Sequence, residues 1–190
     1  LNKNNYQNLI VLKSTVLPDV TEELAIKYNL NIVNNPEFLT ARTAYFDFLN
    51  QNHIVLGKTS TCSQEQFEKI YNLYKKNWPC TKISLVSSTE SEIMKLSCNC
   101  FYAIKVQFFN EMYLLCKNRD IDYNIVKNLM ICNGWINPMH TQVPGPDGKL
   151  SYGGLCFPKD TKALNNYMKD LNIPNNVLTS TINERDMMRN

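Results

Sequence analysis

A short stretch near the carboxyl end of the sequence brings together residue types that could do covalent chemistry. The pair Gly153-Gly154 precedes Cys156, and Lys159 and Asp160 follow that cysteine after two intervening residues. Adjacent glycines let the backbone take positive φ values and come close to a bound molecule. Pro158 suits the first position of a helix, because its φ is already helical and its missing N–H has no partner there. We therefore expect a turn at the glycines and a helix that begins at Pro158.

Cys156 has two interpretations on these residues alone. The positive end of a helix dipole and a nearby lysine both raise the thiolate fraction of a cysteine, which makes it a better nucleophile. A cysteine is equally often a small buried apolar residue without a chemical role. A cysteine hydrolase would also need an imidazole base. His53 and His140 are the two histidines of the sequence, and neither stands in a recognisable partner motif.

The composition is that of a globular protein and gives no sign of a membrane or nucleic-acid partner. Of 190 residues, 44% are hydrophobic and 19% charged, and the net charge of +3 is spread along the chain. No apolar run approaches the roughly 20 residues that a membrane span needs, and the first residues lack the apolar core of a signal peptide. The seven cysteines include no CxxC pair. We expect reduced thiols, no metal site and a cytoplasmic location.

The first half of the sequence alternates short apolar runs with helical patterns, which predicts βαβ units and a mainly parallel sheet. The predicted strands are residues 9–12, 32–33, 54–56 and 82–86. Two helices are predicted between these strands, and each begins with the spacing of a capping box: Asp19 with Glu22, and Ser63 with Gln66. The residues expected to face inward are Leu24, Ala25 and Tyr28 in the first helix and Phe67, Ile70, Tyr71 and Tyr74 in the second.

The second half is predicted to be helical. Thr89 and Glu92 have the spacing of a capping box, and no proline or glycine follows before Lys117, which predicts one helix of roughly 40 Å. A shorter helix is expected to begin after Asp122 and to end at Asn133-Gly134. Residues 135–151 are expected to form a loop, and two further helices are expected after Pro158 and Pro174. The residues expected to face inward are Ile93, Leu96, Cys100, Ile104, Phe108, Met112 and Leu115, then Ile125, Val126 and Leu129, then Leu164, Tyr167, Met168 and Leu171, and finally Leu178, Thr181 and Ile182.

Four motifs occur in a distinctive order and spacing. They are Lys13-Ser14-Thr15-Val16, Asn35-Pro36-Glu37-Phe38-Leu39, the run Glu92, Lys95 and Asn99 on the long helix, and Gly153-Gly154-Leu155-Cys156-Phe157-Pro158-Lys159-Asp160. Together they resemble the UDP-glucose/GDP-mannose dehydrogenase family. The resemblance implies an α/β fold with a partial Rossmann-like parallel sheet, followed by an all-helical central domain. Residues 1–86 would be the rear half of the NAD-binding domain, and residues 87–190 the domain that carries the cysteine loop and forms a homodimer through its long helix.

The resemblance also implies a reaction. Members of the family oxidise the primary alcohol of a UDP-sugar to a carboxylate by two hydride transfers to NAD, through a cysteine thiohemiacetal and thioester. The roles implied by motif position are the nucleophile for Cys156, stabilisation of the oxyanion for Lys95 and Asn99, pairing with Lys95 or orientation of water for Asp160, positioning of water for Thr15, and thioester hydrolysis for Glu37. Substrate contacts are implied for Phe38, Leu39, Tyr152, Gly153 and Gly154, and a cofactor contact for Lys159.

The sequence departs from the family pattern in several places. Ala41 stands where many members have a second glutamate, and Trp135 where many have an arginine. The six glycines form no G-x-G-x-x-G motif for NAD, and residues 182–185 match the start of a segment that leads to a further domain in the family. Two hypotheses follow. The chain is a fragment of an NAD-dependent dehydrogenase, or it is a truncated homologue that keeps the helical domain for association.

Overall fold

The computed structural model of the chain describes Tyr6, residues 8–40 and residues 42–189. The chain divides into two compact units, residues 1–95 and residues 96–190. The elements, in chain order, are β1 (Ile10–Leu12), α1 (Val20–Tyr28), β2 (Ile32–Asn34), α2 (Ala44–Leu49), β3 (His53–Lys58), α3 (Gln64–Asn77), β4 (Lys82–Ser87), α4 (Ser88–Asn118), α5 (Tyr123–Cys132), α6 (Cys156–Asp170) and α7 (Asn176–Arg189). The boundary between the units falls inside α4, and the predicted division after residue 86 stays a prediction.

The first unit contains a four-stranded sheet in the order β1-β2-β3-β4. β1 runs parallel to β2, with Ile10 opposite Ile32, and β3 runs parallel to β4, with His53 opposite Lys82. β2 and β3 are antiparallel. All four predicted strands and the α/β class are thus confirmed. Because the central pair is antiparallel, the carboxyl ends of β1 and β2 lie at one edge of the sheet, and those of β3 and β4 at the other.

The core of this unit packs α3 against the middle of the sheet. Its buried residues are Val33, Ile54, Leu56, Cys62, Phe67, Ile70 and Tyr74. The inward face predicted for α3 is confirmed, since the apolar residues recur at helical spacing. In α1, Ala25 is fully buried, but Leu24 and Tyr28 are more than a third exposed, so that part of the prediction was wrong. The sequence patterns did not predict α2.

Two of the predicted capping boxes are replaced by other contacts. The Asp19 side chain makes no capping bond to α1, and the Glu22 carboxylate instead accepts from the backbone N–H of Ser60 at 3.0 Å. The N-terminus of α1 is capped by Glu92, whose buried carboxylate accepts from the N–H groups of Asp19 at 2.8 Å and Thr21 at 2.9 Å. Glu92 therefore caps a different helix from the one predicted.

α4 begins one residue before the predicted box, with its own cap. The Ser87 hydroxyl accepts from the Glu90 N–H at 3.2 Å, and the Glu90 carboxylate accepts from the Ser87 N–H at 2.7 Å. This is the reciprocal arrangement of a capping box. The box predicted for Ser63 and Gln66 is confirmed, since the Ser63 hydroxyl accepts from the Gln66 N–H.

The second unit packs the remainder of α4 with α5, α6 and α7. Its apolar cluster includes Phe109, Cys116, Tyr123 and Val143. The buried face of α4 contains Leu96, Cys100, Ala103, Gln107 and Asn110. Leu96 and Cys100 were predicted correctly, but Ile93, Phe108 and Leu115 are about half exposed, because the helix turns a second apolar face outward.

The other helices of this unit agree with the sequence in part. Asp122 caps α5 by accepting from the Asn124 N–H, as expected, but Ile125 and Leu129 are exposed. Leu171, which follows the last residue of α6, is exposed as well, and α6 begins at Cys156 rather than at Pro158. The buried positions of α7 are Leu178 and Thr181, which confirms that face.

Among the described residues, no helix is long and apolar enough to cross a membrane, and no group of three or more potential metal ligands comes together. None of the seven cysteines, all of which are described, forms a disulfide.

Candidate active site

In the first unit, two of the motifs follow neighbouring parallel strands. Lys13-Ser14-Thr15-Val16 comes after β1 and Asn35-Pro36-Glu37-Phe38-Leu39 after β2, so both lie at the same edge of the sheet. In open α/β sheets, ligands bind at the carboxyl ends of parallel strands. Thr15 and Glu37 are half-buried, and Phe38 is partly exposed. The strand pairing thus brings the predicted water-positioning and hydrolytic residues to one edge.

Asn35 joins the two motifs. Its side-chain amide donates to the Val55 carbonyl at 2.8 Å, and its Oδ1 accepts from the Lys13 ammonium at 2.7 Å and from the Tyr74 hydroxyl. Burial lowers the pKa of Lys13, and the negative charge of Glu37 partly offsets this effect. The segment that leads to Glu37 is therefore fixed by a buried hydrogen-bonded side chain.

Lys95 contacts the same segment from α4. Its side chain is buried, and its ammonium donates to the Glu37 carbonyl and lies 4.6 Å from the centre of the Phe38 ring. One turn earlier, the Ser91 hydroxyl donates to Asn34 Oδ1 at 2.7 Å. These contacts place the predicted oxyanion-stabilising lysine beside the predicted hydrolytic residue.

The close approach of α4 to the sheet depends on Gly57 at the end of β3. A Cβ atom there would lie 2.7 Å from Ser91 Cβ and 3.0 Å from the backbone at Ser88. Gly57 has an ordinary backbone conformation, so its role is to leave room for the helix. The turn of α4 that contains Ser91 therefore packs directly on β3, and Lys95 lies one turn further along the helix.

The Glu37 carboxylate accepts from the Leu39 N–H at 2.7 Å. This bond folds the segment back on itself and orients the carboxylate. Ala41, where many family members have a second glutamate, lies outside the described residues.

In the second unit, Asp160 is the centre of a buried polar group. The Asn99 amide donates to Asp160 Oδ2 at 2.6 Å, and the Lys159 ammonium pairs with Oδ1. The Asp160 carboxylate is 1% exposed, whereas the Lys159 side chain is largely in solvent. Asn99 and Asp160, two of the predicted catalytic residues, therefore contact each other. The predicted pairing of Asp160 with Lys95 stays a prediction.

Cys100 also belongs to this group. Its thiol donates to the Asp160 carbonyl at 3.6 Å. Burial and the charge of Asp160 together raise the pKa of Cys100 to about 12. Cys100 is therefore a protonated, buried thiol, whereas Cys156 of the same unit differs from it in being exposed.

Cys156 is the first residue of α6 and is exposed to solvent. Leu155 before it is 91% exposed, and Gly154 has a φ of +76°, which favours glycine. The thiol is thus accessible to a ligand, at a helix start where an anion is stabilised. The buried-hydrophobe interpretation of Cys156 does not agree with this exposure.

The two histidines have other surroundings. The His140 ring stacks on Tyr102 with 4.8 Å between ring centres and meets the edge of Phe157 at 5.6 Å. Burial and the charge of Lys105 lower the pKa of His140, which keeps the ring neutral at neutral pH. His53 is bonded to Ser84 at 2.8 Å. No hydrogen bond among the described residues joins either imidazole to Cys156, and the hydrolase hypothesis gains no support.

The loop before Cys156 is held by residues that the motifs did not identify. Ser151 has a φ of 57°, and its N–H donates to the buried side chain of Asn110 at 2.8 Å while its hydroxyl bonds to Gln107. Arg185 and Arg189 of α7 contact the same loop. Their spacing of four residues was the one available sequence signal, since it places both on one face of a helix.

A cavity of about 510 Å³ lies elsewhere in the first unit, at the carboxyl ends of β3 and β4. Its lining includes Glu22, Lys58, Thr59, Ser60 and the residues 86–89. None of the predicted catalytic residues lines it.

The fit of NAD to the described residues is partial. The connection from β1 to α1, residues 13–19, contains no glycine, and none of the six glycines has the spacing that cradles a pyrophosphate. The edge formed by β1 and β2 is nevertheless the position at which nucleotides bind in such sheets. The described residues therefore fit an edge contact with the cofactor, and they do not supply the pyrophosphate cradle.

Comparison with known proteins agrees with this architecture. The model of the UDP-glucose/GDP-mannose dehydrogenase family central domain matches residues 89–185, and that of the family's NAD binding domain matches residues 1–75. The chain belongs to the UDP-glucose/GDP-mannose dehydrogenase family.

Similar proteins include the UDP-glucose 6-dehydrogenases of Rickettsia bellii, 34% identical over 186 residues, and of Rickettsia felis, 32% identical over 188 residues. Each match covers 94% of this chain, and 41% and 39% of those relatives. The chain thus spans about two fifths of their length. The structure of a UDP-glucose dehydrogenase from Pyrobaculum islandicum matches with a TM-score of 0.85 and 26% identity, over 98% of this chain and 43% of that one.

Proposed function

We propose that this chain supplies the covalent-catalysis residues of an NAD-dependent UDP-glucose 6-dehydrogenase, which oxidises UDP-glucose to UDP-glucuronate. The observation that carries the proposal is the arrangement around α6. An accessible cysteine begins the helix, and one turn later a buried aspartate is bonded to Asn99 of α4. The names of the Rickettsia relatives support UDP-glucose as the substrate.

Cys156 is the proposed nucleophile. Its thiolate adds to the carbonyl carbon of the aldehyde formed in the first oxidation, and the oxyanion that results is stabilised by the Lys95 ammonium and the Asn99 amide. NAD, when bound, supplies the hydride acceptor for both oxidations. A cysteine suits this chemistry because a thiohemiacetal can lose hydride to give a thioester that water still cleaves.

The remaining motif residues have proposed roles in hydrolysis and binding. Glu37 takes a proton from the attacking water and Thr15 orients that water, while Asp160 holds the Asn99 amide in position. The proposed substrate contacts are Phe38, Leu39, Tyr152, Gly153 and Gly154, and Lys159 is the proposed cofactor contact. Because Lys95 bonds to the backbone carbonyl of Glu37, these two residues keep a fixed relation to each other.

The experiment uses the chain alone, which we expect to be inactive, and a chimera in which the chain replaces the matched region of the Rickettsia bellii relative. NADH is followed at 340 nm with UDP-glucose and NAD. We expect the chimera to form two NADH per UDP-glucose, and Cys156→Ser to lower kcat by about a thousandfold or more. Cys132→Ser, at another exposed cysteine, is the matched control and should leave the rate unchanged. Equal rates for Cys156→Ser and the unmodified chimera would disprove the proposal, as would a folded chimera without activity.

A second candidate function is association through the helical unit. One observation favours it: Phe101, Phe108 and Leu115 recur every seven residues on α4 and are exposed, which is the pattern of a helix that pairs with another. We propose a homodimer through this face. Sedimentation of the chain should give twice the monomer mass, and Phe108→Glu should give a monomer with unchanged circular dichroism. A monomer for the unmodified chain would contradict the proposal.

A further inference from the structure

We propose that Arg189, assisted by Arg185, is a positioning residue that holds the backbone leading to Cys156. The catalytic consequence rests on the proposed function. The geometric part concerns the loop itself and can be tested without any turnover.

Arg189 binds the loop through both terminal nitrogens of its guanidinium. Nη1 donates to the carbonyls of Leu150 at 3.0 Å and Ser151 at 2.9 Å, and Nη2 pairs with the Asp147 carboxylate. The side chain is 11% exposed. Hydrogen bonds from a guanidinium are charge-assisted, and its planar fork fixes the direction of each acceptor. One side chain of α7 therefore sets three points of the loop.

Gly153 is shaped to this guanidinium. A Cβ atom at Gly153 would lie 2.6 Å from Nη2 and 2.9 Å from Cζ of Arg189, and 2.9 Å from an oxygen of Asp147. The absence of a side chain at Gly153 therefore makes room for Arg189. Gly154 differs, because a Cβ there would meet open space and the residue is required for its positive φ. The two adjacent glycines are therefore required for different reasons, Gly153 for the space that Arg189 occupies and Gly154 for its backbone conformation.

Arg185 binds the next carbonyl of the loop, that of Tyr152. Its Nε donates to the Tyr152 carbonyl at 3.3 Å, and its guanidinium lies 5.8 Å from the centre of the Tyr152 ring. Since Arg189 takes the carbonyls of Leu150 and Ser151, three consecutive carbonyls are bound to guanidinium groups one turn apart on α7. From the other side, Asn110 of α4 holds the Ser151 N–H.

The start of α6 depends on this loop for its position. Leu155 precedes the helix and makes no side-chain capping bond. The segment between the last bound carbonyl, at Tyr152, and Cys156 is only Gly153, Gly154 and Leu155. The direction in which the chain enters α6, and with it the thiol at the first helical position, therefore follows from where the arginines hold the loop.

The test compares Arg189→Met, Arg189→Lys and the control Arg119→Met, which removes the same charge from an exposed site on the same unit. Alkylation of Cys156 by iodoacetamide is followed by peptide mass spectrometry at pH 7. The exposed Cys132 serves as internal reference. Hydrogen exchange of residues 151–155 is measured on the same samples.

For Arg189→Met we expect Cys156 alkylation at pH 7 to slow by about fivefold relative to Cys132, because a frayed helix start stabilises negative charge on the sulfur less. Exchange of residues 151–155 should rise about tenfold or more as the loop opens. Cys132 should be unchanged, and Arg189→Lys should recover part of both effects. In the chimera, Arg189→Met should lower kcat and leave KM for NAD unchanged.

An unchanged rate of Cys156 alkylation and unchanged exchange in a folded Arg189→Met chain would overturn the inference. If that variant fails to fold, Asp147→Asn removes a single partner of the guanidinium and should give smaller effects in the same direction. No effect there would be equally decisive. An inactive unmodified chimera would remove the proposed function only, since the alkylation and exchange results still decide whether Arg189 positions the loop.

Discussion

The two units hold their motif residues in different ways. In the first unit, the motifs stand at the ends of β1 and β2, whose ladder and the side chain of Asn35 fix the backbone. In the second unit, the described residues form no strand, and the backbone before Cys156 is held by side chains of distant helices. The motif residues of the first unit are thus positioned by backbone pairing between strands, whereas the cysteine loop is positioned by side-chain contacts from arginine and amide groups. The first arrangement should be the more rigid and the more costly to disturb.

The largest expected effect comes from a substitution in the first unit, at the carboxyl ends of β1 and β2. Asn35→Ala removes the acceptor of Lys13 and Tyr74 and the donor to Val55, and the Asn35 side chain itself is buried. We expect a loss of about 3 kcal/mol in the free energy of unfolding, measured with urea. Asn50→Ala, at an exposed helix end, is the control and should cost less than about 1 kcal/mol. Similar losses for the two variants would show that Asn35 does not fix this edge.

The next two predictions compare one glycine from each unit. Gly57→Ala places a methyl group against Ser91 and against backbone atoms at Ser87 and Ser88, which cannot move independently of α4. We expect a loss of about 2 kcal/mol in thermal or urea unfolding. The double variant with Ser91→Gly should recover part of that loss, because only the side-chain contact is relieved. A fully additive double variant would contradict the proposed seating of α4.

Gly153→Ala meets the end of the flexible Arg189 side chain, so it should cost less, about 1 kcal/mol. A double variant again tests whether the expected contact causes the loss of stability. Gly153→Ala in an Arg189→Met background should cost clearly less than in the unmodified chain, since the guanidinium is gone and only the contact with Asp147 remains. If Gly153→Ala proves as costly as Gly57→Ala, the distinction between backbone-held and side-chain-held motifs is wrong.

The smallest expected effect concerns α7 in the second unit. Burial and a hydrogen-bonded partner, Glu184, raise the pKa of Glu111 to about 7. A carboxyl whose folded pKa is raised contributes stability that is present below its unfolded pKa, near 4.5, and is lost as pH rises through about 7. Glu184→Gln should therefore flatten the fall in stability between pH 5 and pH 8. The pair is partly exposed, so the difference at pH 8 should stay below about 1 kcal/mol.

Differential unfolding at pH 5 and pH 8 measures this effect, with Glu65→Gln as the control at an exposed helical carboxylate. The same slope in Glu184→Gln and the unmodified chain would contradict a shared proton between Glu111 and Glu184.

The sequence predicted what depends on neighbours in the chain. All four strands and the buried face of α3 were found because apolar residues recur at the period of their element. The outward face of α4 was misjudged at Phe108 and Leu115, since an apolar residue on a helix does not tell which of two apolar faces meets its own unit. Predictions from local pattern are therefore sound for element type and weaker for orientation.

The site shows the same limit. The motifs predicted the contact partners Asn99 and Asp160 as members of one site, and the structure brings them together. The bonds that hold the cysteine loop join residues such as Gln107 and Ser151, which are 44 positions apart. No local pattern encodes such a pair. Gly153 was expected to admit a bound molecule, and only the folded arrangement shows that it accommodates Arg189.

The cap that Glu92 provides to α1 has a consequence for the order in which the chain folds. The Thr21 N–H and the Glu92 carboxylate that accepts from it are 71 positions apart. A helix of nine residues without a cap is marginal in water, so α1 remains frayed until α4 has been synthesised and docked. A nascent chain that ends before Glu92 therefore lacks the cap of its first helix, and α1 should reach its full stability only after α4 has docked.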